Sequence, residues 1–199
     1  ANTGDNNTGL GALALYSNTT GNNGTAIGNL ALFSNTTASN NTAVGYQASY
    51  TSTLAAGVTS IGYQANYNMV TTGNTYSTAV GYQAAKGGSG SLNYDDVAVG
   101  AFALTSITTG SANTAVGKQA LQANTTAGSN VAVGFQAGYS NTTGSANDIL
   151  GAQAMYYNTT GSYNTAIGHN ALQNNTTASS NTAVGYQAGY SNTTGTENA

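Results

Sequence analysis

Hydrophobic and small residues recur along this chain in step with one glycine, which we call the marker glycine. It stands at Gly11, Gly28, Gly45, Gly62, Gly81, Gly100, Gly117, Gly134, Gly151, Gly168 and Gly185. The spacing is 17 residues except for two steps of 19, so eleven copies of one unit cover nearly the whole sequence. A unit this short closes a core only against its neighbours. The pattern predicts one all-β domain over residues 1–199, a parallel β-solenoid (β-roll) of about eleven 17-residue coils.

The residues just before the marker glycine alternate as in a strand. The preceding residue is aliphatic in all eleven units, and the one before it is small in ten, with Ile149 as the exception. Because strand side chains alternate, these two positions face opposite ways. We expect the aliphatic residues, such as Val44, to form the packed face, with Thr42 beside it. The bare alanine face would then admit another wall of the coil or a second subunit.

The residues after the marker glycine exchange bulk between two positions. Tyr46 is paired with Ser49, whereas Ala101 is paired with Leu104, and all eleven units follow this rule. We interpret the two positions as lying beside one volume, which close packing allows only one large side chain to fill. A three-residue offset brings side chains together in a tight corner or a single helical turn. Each coil is therefore predicted to run as a strand, that corner and a second extended leg.

The second leg ends in Asn-Thr-Thr in seven units, which begin at Asn18, Asn35, Asn124, Asn141, Asn158, Asn175 and Asn192. Asparagine favours turns, and identical asparagines stacked about 4.8 Å apart can form amide ladders. Each triplet is also an acceptor sequence for N-glycosylation. We favour the structural turn, because it explains the regular placement in any host.

The composition of the chain argues against several classes of function. Charged residues make up 4% of the chain, with two Lys+Arg against five Asp+Glu, so no basic surface for nucleic acid is expected. The absence of cysteine excludes disulfides and thiolate metal sites. No apolar run approaches the roughly 20 residues that span a bilayer, so we expect no direct membrane insertion. We take the chain as part of a longer fibre.

Few residues could carry chemistry. Asp96 and Asp148 belong to coils about 14 Å apart along the axis, too far apart for the carboxylate pair of a glycosidase. His169 has no second histidine or cysteine with which to bind a metal. We therefore expect no enzyme activity, no cofactor and no metal site.

The irregular stretch 51–96 is where a localised function is expected. It carries both 19-residue units and the glycine-rich run 87–90. Insertions in a solenoid become loops on one face, often the binding face. The candidate receptor-binding residues are Lys86, Asn93, Tyr94, Asp95 and Asp96. Neutral drift in a loop is an equally weighted alternative.

Short segments around the marker glycine resemble a known family. Asn-Thr-Ala-Val-Gly occurs at 41–45, 113–117 and 181–185, Asn-Thr-Ala-Ile-Gly at 164–168, and Val-Ala-Val-Gly at 97–100 and 131–134. These segments resemble the head repeats of trimeric autotransporter adhesins, the YadA-like family, and similar arrays in bacteriophage tail-fibre proteins. The resemblance implies a left-handed parallel β-roll, a homotrimer and the binding of host surface molecules.

The sequence thus predicts an extracellular, non-catalytic fibre segment on a cell surface or a virion. We expect it to self-associate as a homotrimer and to present a rigid surface to host glycans or proteins. The alternative is an ice-binding or other surface-adsorbing solenoid, favoured by low charge and abundant Thr, Asn and Ala. Its best threonine column stands three residues before the marker glycine. We expect that column to turn toward the packed face, which counts against adsorption.

Overall fold

The computed structural model describes residues 3–70, 72–88, 91–92 and 94–198. Over these residues it contains three-residue strands and no helix. The strands are β1 (Thr8–Leu10), β2 (Thr25–Ile27), β3 (Thr42–Val44), β4 (Leu54–Ala56), β5 (Thr59–Ile61), β6 (Thr72–Asn74), β7 (Thr78–Val80), β8 (Val97–Val99), β9 (Thr114–Val116), β10 (Val131–Val133), β11 (Asp148–Leu150), β12 (Thr165–Ile167) and β13 (Thr182–Val184).

Eleven of these strands form one parallel sheet. Its order is β1-β2-β3-β5-β7-β8-β9-β10-β11-β12-β13, and each strand precedes a marker glycine. The register is uniform, so that Thr25 lies beside Thr42 and Ala26 beside Ala43. At about 4.8 Å per strand, the sheet is about 48 Å long. The predicted parallel β-solenoid of 17-residue coils is confirmed.

The marker glycine is required by the close approach of successive coils. Its φ lies between +131° and +142° in all eleven units. Residues that carry a Cβ rarely adopt this backbone conformation. A Cβ on Gly117 would lie 2.7 Å from the carbonyl carbon of Gly134 in the next coil. Both the backbone angle and the space therefore restrict this column to glycine.

The two faces of the main sheet are reversed relative to the sequence-based expectation. The alanine column is interior, and Ala26, Ala43 and Ala115 are fully buried. The aliphatic column points outward, with Ile61 40% exposed and Leu150 49% exposed. The prediction of a packed aliphatic face is therefore wrong. Alternation shows that the two columns face opposite ways, but only the position of the second leg decides which one is enclosed.

We call the outward side of this sheet the outer face. It consists of the residues one and three before each marker glycine, so the threonine column also lies on it. Thr25, Thr42 and Thr114 are partly exposed beside the aliphatic column. The expectation that these threonines turn toward a packed face is wrong for the same reason.

The exchange of bulk after the marker glycine does not reflect one shared volume. Tyr46 is 43% exposed, whereas Ser49 is 1% exposed, so the two positions lie on opposite sides of the coil wall. That interpretation is wrong, and nothing in the structure explains the exchange. A true compensation involves Ile149, because a Cβ on Gly138 would lie 2.8 Å from its Cδ1. The large Ile149 fills the interior space that glycine leaves.

The corner after the marker glycine is a tight turn and not a helical one. Leu30 and Leu32 have φ values of 61° and 48°, with a residue of ordinary φ between them. The N–H of Ala31 donates to the carbonyl of Gly28 at 3.3 Å. Alternating left-handed residues interrupt any helical repeat, so the predicted alternative of a helical turn is not adopted.

The irregular stretch 51–96 adds a small second sheet. Strands β4 and β6 pair in parallel, with Leu54 beside Thr72. Beneath them Ala55, Val58 and Met69 form a separate buried cluster. The insertion therefore adds a second small sheet and leaves the main sheet's register intact.

Candidate binding surfaces

Six of the seven Asn-Thr-Thr corners join their first asparagines in amide ladders. The Nδ2 group of Asn35 donates to Oδ1 of Asn18 at 2.8 Å, and Asn158 donates to Asn141 at the same distance. The first asparagine is buried in six of the seven triplets, and Asn192 in the last coil is partly exposed. The structural turn with stacked amides is confirmed, because these side chains face the interior and not a glycan.

A second asparagine ladder runs four residues before the marker glycine. Oδ1 of Asn147 accepts the backbone N–H of Asn164 at 3.0 Å and its Nδ2 at 3.1 Å. Nδ2 of Asn147 donates to Asn130 at 3.1 Å and to the carbonyl of Gly161 at 2.9 Å. These buried amides are occupied in holding coil to coil, so they offer no ligand site.

The structure separates the candidate receptor-binding residues. Asp96 occupies a position of this second ladder and is 0% exposed, and its Oδ1 accepts Asn113 N–H at 2.8 Å. It is therefore not a receptor contact. Asp95 is exposed at a left-handed turn, and Tyr94 and Lys86 are partly exposed. Asn93 lies outside the described residues.

Replacing Asp96 with asparagine is expected to stabilise the fold. Asparagines of this ladder donate Nδ2 to the carbonyl 14 residues later, as Asn113 does to Ala127 at 3.0 Å. A carboxylate has no such donor, and burying its charge is costly. We expect Asp96→Asn to raise the free energy of unfolding in urea by about 1–2 kcal/mol. Asp95→Asn, which removes the same charge from an exposed turn, should change it by under about 0.5 kcal/mol. Equal effects would contradict the ladder argument.

The outer face is an exposed apolar surface that runs the length of the main sheet. Its aliphatic column includes Leu10, Ile27, Ile61, Leu150, Ile167 and Val184, which are 37–66% exposed. Beside this column Tyr46, Tyr63 and Tyr82 are 40–47% exposed. Asp148 is the one charged residue among the strand positions of this face. Sequence reasoning found the aliphatic column but assigned it to the core.

Most surface tyrosines are stacked in ladders along the axis. Tyr16, Phe33, Tyr50 and Tyr67 stack at 5.1–5.3 Å between ring centroids, nearly parallel. Tyr63 stacks on Tyr82 at 5.0 Å in a second column. Burial, followed by the phenols of Tyr50, Tyr46 and Tyr63, raises the pKa of Tyr67. Because ring faces within a ladder cover one another, these tyrosines present their edges to solvent.

A shallow groove of about 490 Å³ crosses the last four coils. It is lined on one side by the residues six after the marker glycine, among them Tyr157, and on the other by threonines eight after it, among them Thr176. All of its lining side chains are uncharged. This groove lies outside stretch 51–96, where a binding site was expected. The one sequence feature that marks it is Tyr157, which interrupts a column of small residues.

Comparison with protein-family models, curated proteins and solved structures finds no match to this chain. The resemblance to adhesin heads and tail fibres therefore stays a prediction. Within the described ranges, no helix is long and apolar enough to cross a membrane. The same residues include no cluster of three metal-ligating His, Cys, Asp or Glu side chains.

Proposed function

We propose that this chain is a non-catalytic, extracellular fibre segment that provides rigid display and adhesion on a cell surface or virion. The observation that carries the proposal is the uniform register of eleven strands, which builds a continuous surface about 48 Å long. Repeats of identical geometry along such a surface allow many weak contacts to act together.

The outer face supports self-association, as in a homotrimer. Three-residue strands about 10 Å wide over about 48 Å give about 500 Å² per copy before the flanking tyrosines are counted. Two such faces bury about 1,000 Å², the lower limit for a specific interface. Exposed apolar patches of this size mark interaction sites. The partner surface is thus the aliphatic side of the sheet and not the alanine side that the sequence suggested.

Placing a lysine on the outer face is expected to weaken association at least about tenfold, about 1.4 kcal/mol. The test compares Ile61→Lys with Leu54→Lys, because both residues are 40% exposed and aliphatic but Leu54 lies on the small sheet. Sedimentation velocity and native mass at micromolar concentration measure the effect. A monomeric wild-type protein, or equal effects of the two substitutions, would contradict self-association through this face.

A second candidate function, adsorption to ice or another lattice, is favoured by one observation. The threonine column of the main sheet lies on the outward side, next to the aliphatic column, in uniform register. The oligomeric state, measured together with ice shaping and thermal hysteresis, separates the two functions. A wild-type monomer that shapes ice crystals and produces thermal hysteresis would favour adsorption, whereas an oligomer without either effect would favour the fibre.

A further inference from the structure

The groove in the last four coils contains Tyr157, a tyrosine that does not belong to a stacked ladder. Ser140, Tyr157, Asn174 and Ser191 occupy one column, six residues after the marker glycine. In the eleven units this column holds Ser, Thr, Asn, Gly or Ala except at Tyr157. The fold is therefore built with small residues at this position, and the aromatic ring is not needed to stack the coils.

The ring of Tyr157 is turned across the direction of the ladders. Tyr139 and Tyr156 stack with 3° between their planes, so their ring normals lie along the solenoid axis. Tyr157 stands at 79° to Tyr156, and its normal therefore points away from that axis. It is 50% exposed and lines the groove. Its ring plane thus runs along the groove, unlike the edge-on rings of the ladders.

Polar groups with unused hydrogen-bonding capacity surround this ring. The Oγ1 groups of Thr159 and Thr176 donate to backbone carbonyls of the next coil at 3.0 and 3.1 Å, which leaves their lone pairs as acceptors. In the part of the chain that the structure describes, no group hydrogen-bonds to the side chains of Ser140, Asn174 or Ser191. These side chains can both donate and accept.

We propose that this groove binds a short, neutral oligosaccharide, with one sugar ring packed on Tyr157. An aromatic ring supplies apolar contact area to the C–H face of a sugar, and hydroxyl and amide groups in register supply hydrogen bonds to its hydroxyls. The absence of charge from the lining favours a neutral glycan over an acidic one. This inference rests on the proposed adhesive function and names the ligand class of one site.

The test uses an immobilised panel of neutral oligosaccharides made of β-1,4-linked glucose, N-acetylglucosamine, galactose or mannose. It compares the wild-type protein with Tyr157→Ser and Tyr163→Ala. Serine is the residue that Ser140 and Ser191 place in the same column, so the first substitution is compatible with the fold. Tyr163 is 70% exposed and lies outside the groove, and its turn position holds alanine in two other coils.

We expect the wild-type protein to bind at least one oligosaccharide of the panel, independently of salt. Tyr157→Ser should weaken this binding at least about tenfold, and Tyr163→Ala should leave it unchanged. Absence of binding to the whole panel, retention by Tyr157→Ser, or equal loss in both variants would overturn the assignment. If Tyr157→Ser still adheres to cell surfaces, the groove is not the binding site, but the adhesive function stands. If the wild-type protein does not adhere at all, the result counts against the adhesive function itself.

Discussion

Replacing Gly117 with alanine is expected to lower the free energy of unfolding by about 4–6 kcal/mol, or to prevent folding of the central coils. The new Cβ would lie 2.7 Å from the carbonyl carbon of Gly134, which is backbone and cannot move without separating two coils. The φ of +138° adds a backbone strain of about 1–3 kcal/mol for any other residue. Urea unfolding followed by circular dichroism measures the loss.

The control is the same substitution at Gly9, two residues before another marker glycine. A Cβ there would meet no atom closer than 3.7 Å, and nine other units carry alanine or serine at this position. Gly9→Ala should therefore leave stability within about 0.5 kcal/mol of the wild type or raise it. A comparable loss in both variants would show that glycine at the marker position is not set by coil-to-coil contact.

Replacing Asn147 with alanine is expected to lower the free energy of unfolding by about 3–5 kcal/mol. The substitution removes four hydrogen bonds and leaves the backbone N–H of Asn164 and the carbonyl of Gly161 without these partners in the interior. Each buried group left unsatisfied costs about 1–3 kcal/mol. The same urea titration measures the change, and amide hydrogen exchange at residue 164 should speed up locally.

Asn29→Ala is the matched control for the ladder. Asn29 is exposed, its one amide hydrogen bond is long at 3.4 Å, and three other units carry alanine at this position. We expect its effect to stay within about 0.5 kcal/mol. A loss below about 1 kcal/mol for Asn147→Ala would mean that water replaces the ladder and that the interior amides do not hold the coils together.

The candidate sites show where sequence reasoning ends. Asp95 and Asp96 are adjacent and both were candidate receptor contacts, but Asp95 is exposed and Asp96 is buried. Which of the two is buried depends on the asparagine ladder, whose partner Asn113 lies 17 residues away. The groove around Tyr157 is assembled from four coils, and therefore no local pattern could define it.

The sequence by itself determined the repeat, the parallel stacking of coils and the glycine column, because each of these follows from periodic residues in one unit. It also predicted the structural turns at the Asn-Thr-Thr corners and indicated that their asparagines can stack. Only the tertiary structure decided that Ala43 faces inward and Val44 outward. A strand of three residues presents one column to each side, and the choice between them is made by the opposite leg of the coil. Ala43 packs in one buried cluster with Leu32 and Ala48, so the interior takes the small residue of the strand, and the aliphatic residue just before the marker glycine remains on the surface.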